Sequence, residues 1–387
     1  MQKRLIAVAV AGALGAPALA LAQTSTVNVY GNLVLEYDYI NINKERSANR
    51  ANPDLFQSPG SAIGFRGEEK LGGGLSAWFQ CESSADVQDG SAGFCSRNSA
   101  LGLKGGFGNV FLGTWDTPMK RNAINVGGRD TGIFGSAFLL WGRSTTVVDG
   151  ASAGIFKRRQ KNSINYDSPR VGGFQLSAAT STANNSSNTV SAAADDKRRI
   201  YSVAGNYRNG PLELVASYEL HQDFYRTPAA GVATAADDEQ AWALAGSYVI
   251  GPVKVGGLFT RQDFDSFSGA GARQSNHVLA WHLGAEWKVA GPHEVHFGYT
   301  QTGSMKGAPG FNAGGVRATA GADSGAKLFQ VRYLNNLSKR TNVQLGVSYL
   351  DNDTNANYGL GGTPGANTGV LLGSEQLGVG MVVTHRF

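Results

Sequence analysis

His293, Glu294 and His296 fall within four residues and look like half of a zinc-binding motif. On a strand, however, His293 and His296 are an odd spacing apart and point to opposite faces, so the pair cannot chelate one ion. Gly105, Gly106 and Gly108 form a glycine-rich piece, but no helix follows to complete a phosphate cradle, and such pieces read as turns. No nucleophile stands in a recognisable relation to a base. What the chain does concentrate is positive charge. Between Thr117 and Lys157 lie Lys120, Arg121, Arg129, Arg143 and Lys157, against only Asp130 and Asp149, and Arg158, Arg159 and Lys161 follow at once. A set of fixed cations with no catalytic partner does one thing well, which is to attract anions and repel cations. No cofactor and no metal is expected.

Those cations need a scaffold. The chain has 387 residues, of which 53 are Gly and only 16% are charged. Residues 1–22 read as a cleaved signal peptide: Lys3 and Arg4, an apolar stretch to Ala18, and Ala20-Leu21-Ala22 before Gln23. Without them the formal charge falls from +5 to +3, with 32 bases against 29 acids, too slight a surplus for a nucleic-acid partner. Export through an oxidising compartment makes a Cys81–Cys95 disulfide the expected state of the two cysteines. No later apolar run approaches the ~18 residues of a spanning helix. Membrane β-barrels escape that test because their strands alternate.

Before and after the stretch 117–157, residues 23–387 read as short alternating segments, with no linker-like break in composition. In Val27–Asp38, Val27, Val29, Leu33, Leu35 and Tyr37 share one face, and Asn28, Asn32, Glu36 and Asp38 the other. Further on, Ile63 and Phe65 oppose Arg66 and Glu68, while Ala77 and Phe79 oppose Gln80 and Glu82. Tight turns at Gly72-Gly73-Gly74, Gly105-Gly106, Asn209-Gly210-Pro211, Gly251-Pro252 and Gly291-Pro292 alternate with long polar loops such as 181–196, 304–325 and 352–373. Sixteen strands result, an even number with both termini at the short-turn side. This is an all-β class: a 16-stranded antiparallel transmembrane β-barrel. Tyr201 and Tyr207, Trp242 and Tyr248, and Trp281 and Trp287 are spaced to mark both edges of an apolar band, and Phe387 ends a strand that should close against the first. The stretch 117–157 has no period-2 pattern. So long an insertion in a regular domain is usually functional, and it is expected to fold into the pore mouth.

Four pieces, VNVYGNLVLEY, GFRGEEKLGGGLSAWFQCE, NSINYDSP followed by GGF, and the terminal THRF, resemble general porins of Gram-negative outer membranes, of the neisserial and betaproteobacterial type. The resemblance covers the whole mature chain. It implies a homotrimer in the outer membrane, in contact with lipid and lipopolysaccharide, with a third loop folded inward as a constriction at 117–157. It also implies that Arg97 faces the lumen. Two departures stand out. Gly132-Ile133-Phe134-Gly135 lacks the carboxylate of the acidic third-loop element common in trimeric porins, and Ala62 stands where members often have Arg.

The expected function is passive diffusion of small hydrophilic solutes and inorganic ions, with an anion preference. By alternation from Ser163, Asn165 and Asp167, Arg159 and Lys161 face the lumen of the sixth strand, joined by Arg66, Arg198 and Arg332 on others. Glu36, Glu68, Glu82 and Glu286 oppose them, so a mixed transverse field is the alternative. Two other classes stay open: a substrate-specific channel, with Phe134, Phe138 and Trp141 stacking on sugar rings, and a non-conducting adhesion barrel.

Overall fold

The computed structural model describes residues 26–43, 54–91, 93–126, 133–134, 156–182, 199–225, 237–267, 273–307, 323–356, 358–360 and 372–387. Apolar residues at every second position cannot all turn inward on an open sheet of this length. Closing the sheet on itself gives each strand one face toward lipid and one toward a lumen.

The strands in chain order are β1 Thr26–Asn43, β2 Asp54–Gln57, β3 Ala62–Gly72, β4 Leu75–Ser84, β5 Ser99–Gly105 and β6 Gly108–Asp116. After helix α1 (Pro118–Val126) come β7 Arg159–Asp167, β8 Phe174–Ser181, β9 Arg199–Asn209, β10 Leu212–Tyr225, β11 Asp237–Ile250 and β12 Val253–Phe267. The series ends with β13 Arg273–Ala290, β14 His293–Thr302, β15 Ala326–Asn336, β16 Thr341–Asn352 and β17 Glu375–Arg386. Strand β2 is a four-residue piece laid beside Glu36–Tyr39 of β1. The other sixteen form the antiparallel barrel, each paired with its neighbours in sequence.

Closure is made by β1 and β17, in register from Asn32 opposite Arg386 to Asn43 opposite Glu375. The amide of Gly31 donates to the Phe387 carbonyl at 3.0 Å, and that of Phe387 returns the bond at 3.1 Å. The Phe387 ring covers Gly31 so closely that any side chain there would collide with it.

Burial is inside out. Leu101, Leu112, Leu244, Leu283 and Phe297 are exposed, whereas Ser163, Asn165, Ser202, Asn206, Thr260 and Gln330 are buried. In water such a surface would be unstable; in lipid it is the only workable one. Aromatic residues also stand on this outer face. Trp242 leans on Tyr218 at 4.4 Å, Tyr207 on Phe174 at 4.4 Å, and Trp281 on Tyr299 at 5.0 Å between ring centroids. Gly72, Gly73 and Gly74 all take positive φ, as the β3–β4 turn requires.

The 117–157 stretch opens on a helix that alternation does not foresee. Thr117 caps it: its carbonyl accepts from the Arg121 amide at 3.0 Å and its hydroxyl from Lys120 N at 3.4 Å. Pro118 occupies the first helical position, where a missing N–H costs nothing.

The Cys81–Cys95 disulfide is formed, with a Cα–Cα distance of 4.8 Å, and ties the loop after β4 back to that strand. Closing a loop of this size contributes ~3 kcal/mol in the chain-entropy view. Unreduced, denatured protein should take up no alkylating reagent by mass spectrometry, and two alkylated thiols would contradict the bridge.

The lipid face makes a second prediction. Leu283→Arg places a guanidinium in the middle of the outer face of β13 and should destabilise the folded barrel by about 2–4 kcal/mol. Urea unfolding from lipid vesicles measures this, and a shift below ~1 kcal/mol would mean that this face is not in hydrocarbon.

Candidate functional site

The cations converge on the inner wall of β3–β7. Arg97 follows the disulfide-closed loop; its amide donates to the Glu82 carbonyl at 2.9 Å and its Nε to Glu82 Oε1 at 2.8 Å. Because Cys81 precedes Glu82, the bridge holds both members of this pair. The Tyr30 hydroxyl donates to Glu82 Oε2 at 3.1 Å, and the Arg66 guanidinium lies 5.1 Å from the Tyr30 ring centre.

Asp116, the last residue of β6, anchors the second group. Its Oδ1 receives Lys120 Nζ at 2.7 Å and Arg159 Nε at 3.2 Å, while Arg159 also donates to Asn98 Oδ1 at 2.8 Å. Lys120 lies one helical turn beyond Asp116, so the capped helix is what delivers it. Burial holds the Lys120 pKa below its ordinary value and the like charge of Arg159 adds to this, against the pull of Asp116. A third pair, Arg121 with Asp167 at 2.6 Å, ties the helix to β7. Arg66, Arg97, Lys120, Arg121 and Arg159 thus stand against Glu82, Asp116 and Asp167, an excess of cations on one side of the lumen.

Other expected lumen residues lie elsewhere. Arg332 meets His296 Nδ1 at 2.8 Å on the inner face of β14–β15, whereas His293 meets the outward Tyr333 hydroxyl at 2.7 Å. The two histidines therefore do point apart. Glu68 pairs with Lys104 near the short-turn end. Glu36 and Asp38 are buried on β1, where Gln57 Nε2 donates to Asp38 Oδ2 at 2.6 Å. Lys161 departs from the simple alternation. Asn162 has φ 51 and the β6–β7 register shifts between Gly113 and Trp115, so parity from Ser163 no longer assigns Lys161 a side. It is exposed. Arg129, Asp130, Arg143, Arg198, Phe138 and Trp141 lie outside the described residues.

The described pieces of the 117–157 stretch touch the wall at separate places. The Met119 amide donates to the inward Ser202 Oγ at 3.2 Å. Phe156 stacks on His221 of β10 at 4.6 Å, and His221 is itself held between Glu219 at 2.8 Å and Glu239 at 3.2 Å. Ile133 and Phe134 rest on inward glycines of β16 and β17: a Cβ at Gly346 would stand 2.6 Å from Ile133 Cδ1, and one at Gly378 2.5 Å from Phe134 Cζ. Phe134 is fully buried there, so it cannot stack on a passing sugar.

Sequence reasoning did not pick out Asn98 or Asp116, nor the inward Trp78, Phe111 and Trp115. Trp78 shares its parity with Gln80 and Glu82, and that was the available signal.

Comparison with known proteins decides the family. Residues 7–355 match the family model described as Gram-negative porin. The chain belongs to this family. The porin is 31% identical over 393 residues to outer membrane porin protein 32 of Delftia acidovorans, covering 100% of both chains. It is 31% identical over 213 residues to the major outer membrane protein P.IB of Neisseria gonorrhoeae, 54% of each. Among solved structures, the anion-selective porin from Comamonas acidovorans aligns at 25% identity and a TM-score of 0.70, with 94% of this chain and 100% of that one covered. The trimer form of OmpT from Vibrio cholerae shares the fold at 17% identity and a TM-score of 0.65, with 94% and 99% covered. The porin is accordingly an outer-membrane diffusion channel and not an enzyme.

The glycine seats yield a test. Gly378→Leu should displace Phe134 and change the single-channel conductance. A conductance equal to wild type would mean that the Phe134 seat has no bearing on the open pore.

Proposed function

We propose that this porin prefers anions, and that the third loop, 117–157, narrows its lumen beside the cation cluster. The observation that carries the reading is the arrangement on β3–β7 and α1, where five cations meet three carboxylates. The contacts of Met119, Ile133, Phe134 and Phe156 with inward-facing wall residues support the placement of the loop. Arg66, Arg97, Arg121 and Arg159 set the potential of the passage, with Arg129, Arg143, Arg198, Lys161 and Arg332 as further contributors and Asp130, Glu36, Glu68 and Glu82 as its acidic counterpart. The anion selectivity of the Comamonas porin is in keeping with this assignment.

Size and charge then govern passage of small hydrophilic solutes, with no energy source. The chain acts as a homotrimer after removal of residues 1–22, as the trimer form of OmpT suggests. The aromatics Tyr201, Tyr207, Trp242, Tyr248, Trp281, Trp287 and Phe387 mark the membrane interfaces. Lipopolysaccharide contacts the long-loop side, and both termini are periplasmic.

The test is the zero-current potential of a planar bilayer across a KCl gradient. Two unit charges ~4 Å apart interact by ~4 kcal/mol at an effective dielectric near 20, so a fraction of this biases permeation several-fold. The sign should be that of an anion-selective pore, and its size should fall as salt shortens the Debye length. Arg159→Ala should reduce it and Lys306→Gln, in an outer loop, should not. A cation-selective sign at low salt would sink the proposal and transfer control to the lumen carboxylates.

A further inference from the structure

The inner wall beside the cations carries an aromatic group that charge selectivity does not use. The Trp78 and Phe111 ring centres are 5.4 Å apart, Phe111 and Trp115 5.1 Å, and Trp78 and Trp115 5.8 Å. Trp78 and Phe111 face inward, since their neighbours Phe79 and Leu112 are exposed on the lipid side, and Trp115 joins them through its ring contacts and lies opposite the buried Gln160. The group is held in place. Gly102 leaves room for it, because a Cβ there would stand 2.6 Å from Trp78 Cε2 and 2.7 Å from Phe111 Cβ. Trp78 Nε1 donates to Asn109 Oδ1 at 2.7 Å.

Phe111 is fully buried, but both indoles keep part of their surface open. Elsewhere the inner face mixes Ser, Asn, Gln and Thr with alanine and aliphatic residues. The open surface of the two indoles offers a solute ring apolar area to cover, which is favourable. Their position is also specific. Trp115 is followed directly by Asp116, whose carboxylate carries Lys120 and Arg159, and the Arg121 guanidinium lies 5.8 Å from the Phe111 ring. Two cations share one carboxylate, so an anionic solute still meets net positive charge.

Resting on the reading of this protein as an anion-preferring porin, we propose that Trp78 and Trp115, packed on Phe111, form with Lys120 and Arg159 a subsite for aromatic carboxylates. The solute ring lies against the open indole surface and its carboxylate reaches Lys120 and Arg159, sharing them with Asp116. Aliphatic carboxylates gain only the second contact. Neutral sugars lack the charge.

Single-channel recording in KCl, with sodium benzoate or sodium acetate added on one side, tests the subsite. Benzoate should interrupt the current saturably, while acetate at equal concentration should leave it nearly unchanged. Trp115→Leu should raise the half-blocking benzoate concentration roughly tenfold, equivalent to ~1.4 kcal/mol. Arg159→Gln should raise it too, and Lys306→Gln should not. If Trp115→Leu fails to insert, Trp115→Tyr keeps a ring and should keep the block, and wild type should be blocked more strongly by benzoate than by cyclohexanecarboxylate, whose ring is not flat. Equal block by benzoate and acetate, or an unchanged half-block in Trp115→Leu, would overturn the subsite while leaving the channel reading intact. Absence of any KCl current would instead overturn the channel reading itself.

Discussion

Lipid offers no hydrogen bonds, so a strand that enters it must pair both edges within the protein. An unsatisfied backbone group there costs several kcal/mol, and an open sheet would leave two whole rows of them. The β1–β17 pairing removes those rows, running from Asn32 opposite Arg386 to Asn43 opposite Glu375. The rest of the design follows from closure. Each strand then has one lipid face and one wet face, which forces the alternation and puts Leu and Phe outside and Ser and Asn inside. The wet interior, in turn, lets paired, partly exposed cations line one side of the lumen without the desolvation that hydrocarbon would impose.

The cation cluster depends on local devices more than on the barrel. The Cys81–Cys95 bridge keeps Arg97 beside Glu82, and the Thr117 cap starts a helix whose first turn returns Lys120 to Asp116. The side chains of Arg97, Lys120, Arg121 and Arg159 retain between 13% and 24% exposure, so each keeps contact with water while its partner fixes its position. That balance matters. Fully buried ion pairs spend their Coulomb attraction on desolvation, and free side chains would wander out of the passage.

Alternation and turn chemistry made the barrel legible in the sequence, because a period of two and glycine turns such as Gly72-Gly73-Gly74 have no other economical reading. The site was less legible. Parity from Ser163 gives Arg159 and Lys161 the same side, but the irregularity at Asn162, a local backbone choice with no hydrophobic cost, breaks that count for both, and Arg159 is located instead by its contacts with Asp116 and Asn98. The helix Pro118–Val126 was hidden for a different reason: a nine-residue helix makes less than three turns, too few for a period to emerge. The Thr117-Pro118 start was its only local mark. Trp78 was visible by parity with Gln80 and Glu82, yet a tryptophan in a membrane barrel is read first as an interface residue.

Long-range fit is the part no single-chain pattern contains. Ile133 and Phe134 seat on Gly346, Gly378 and Gly380, residues more than two hundred positions away that look like ordinary small residues on two strands. Their glycine identity makes sense only once the loop is in place, since any side chain there would occupy the same space. Burying the two apolar side chains contributes roughly 1.5–3 kcal/mol each, enough to hold this point of the stretch against the wall. The helix is tied at Ser202 and Asp167, and Phe156 at His221, by contacts of different kinds. A hydrogen bond, an ion pair, a ring contact and apolar seats thus join the described parts of this stretch to β7, β9, β10, β16 and β17 of the wall, a set of long-range contacts that no local pattern in the sequence encodes.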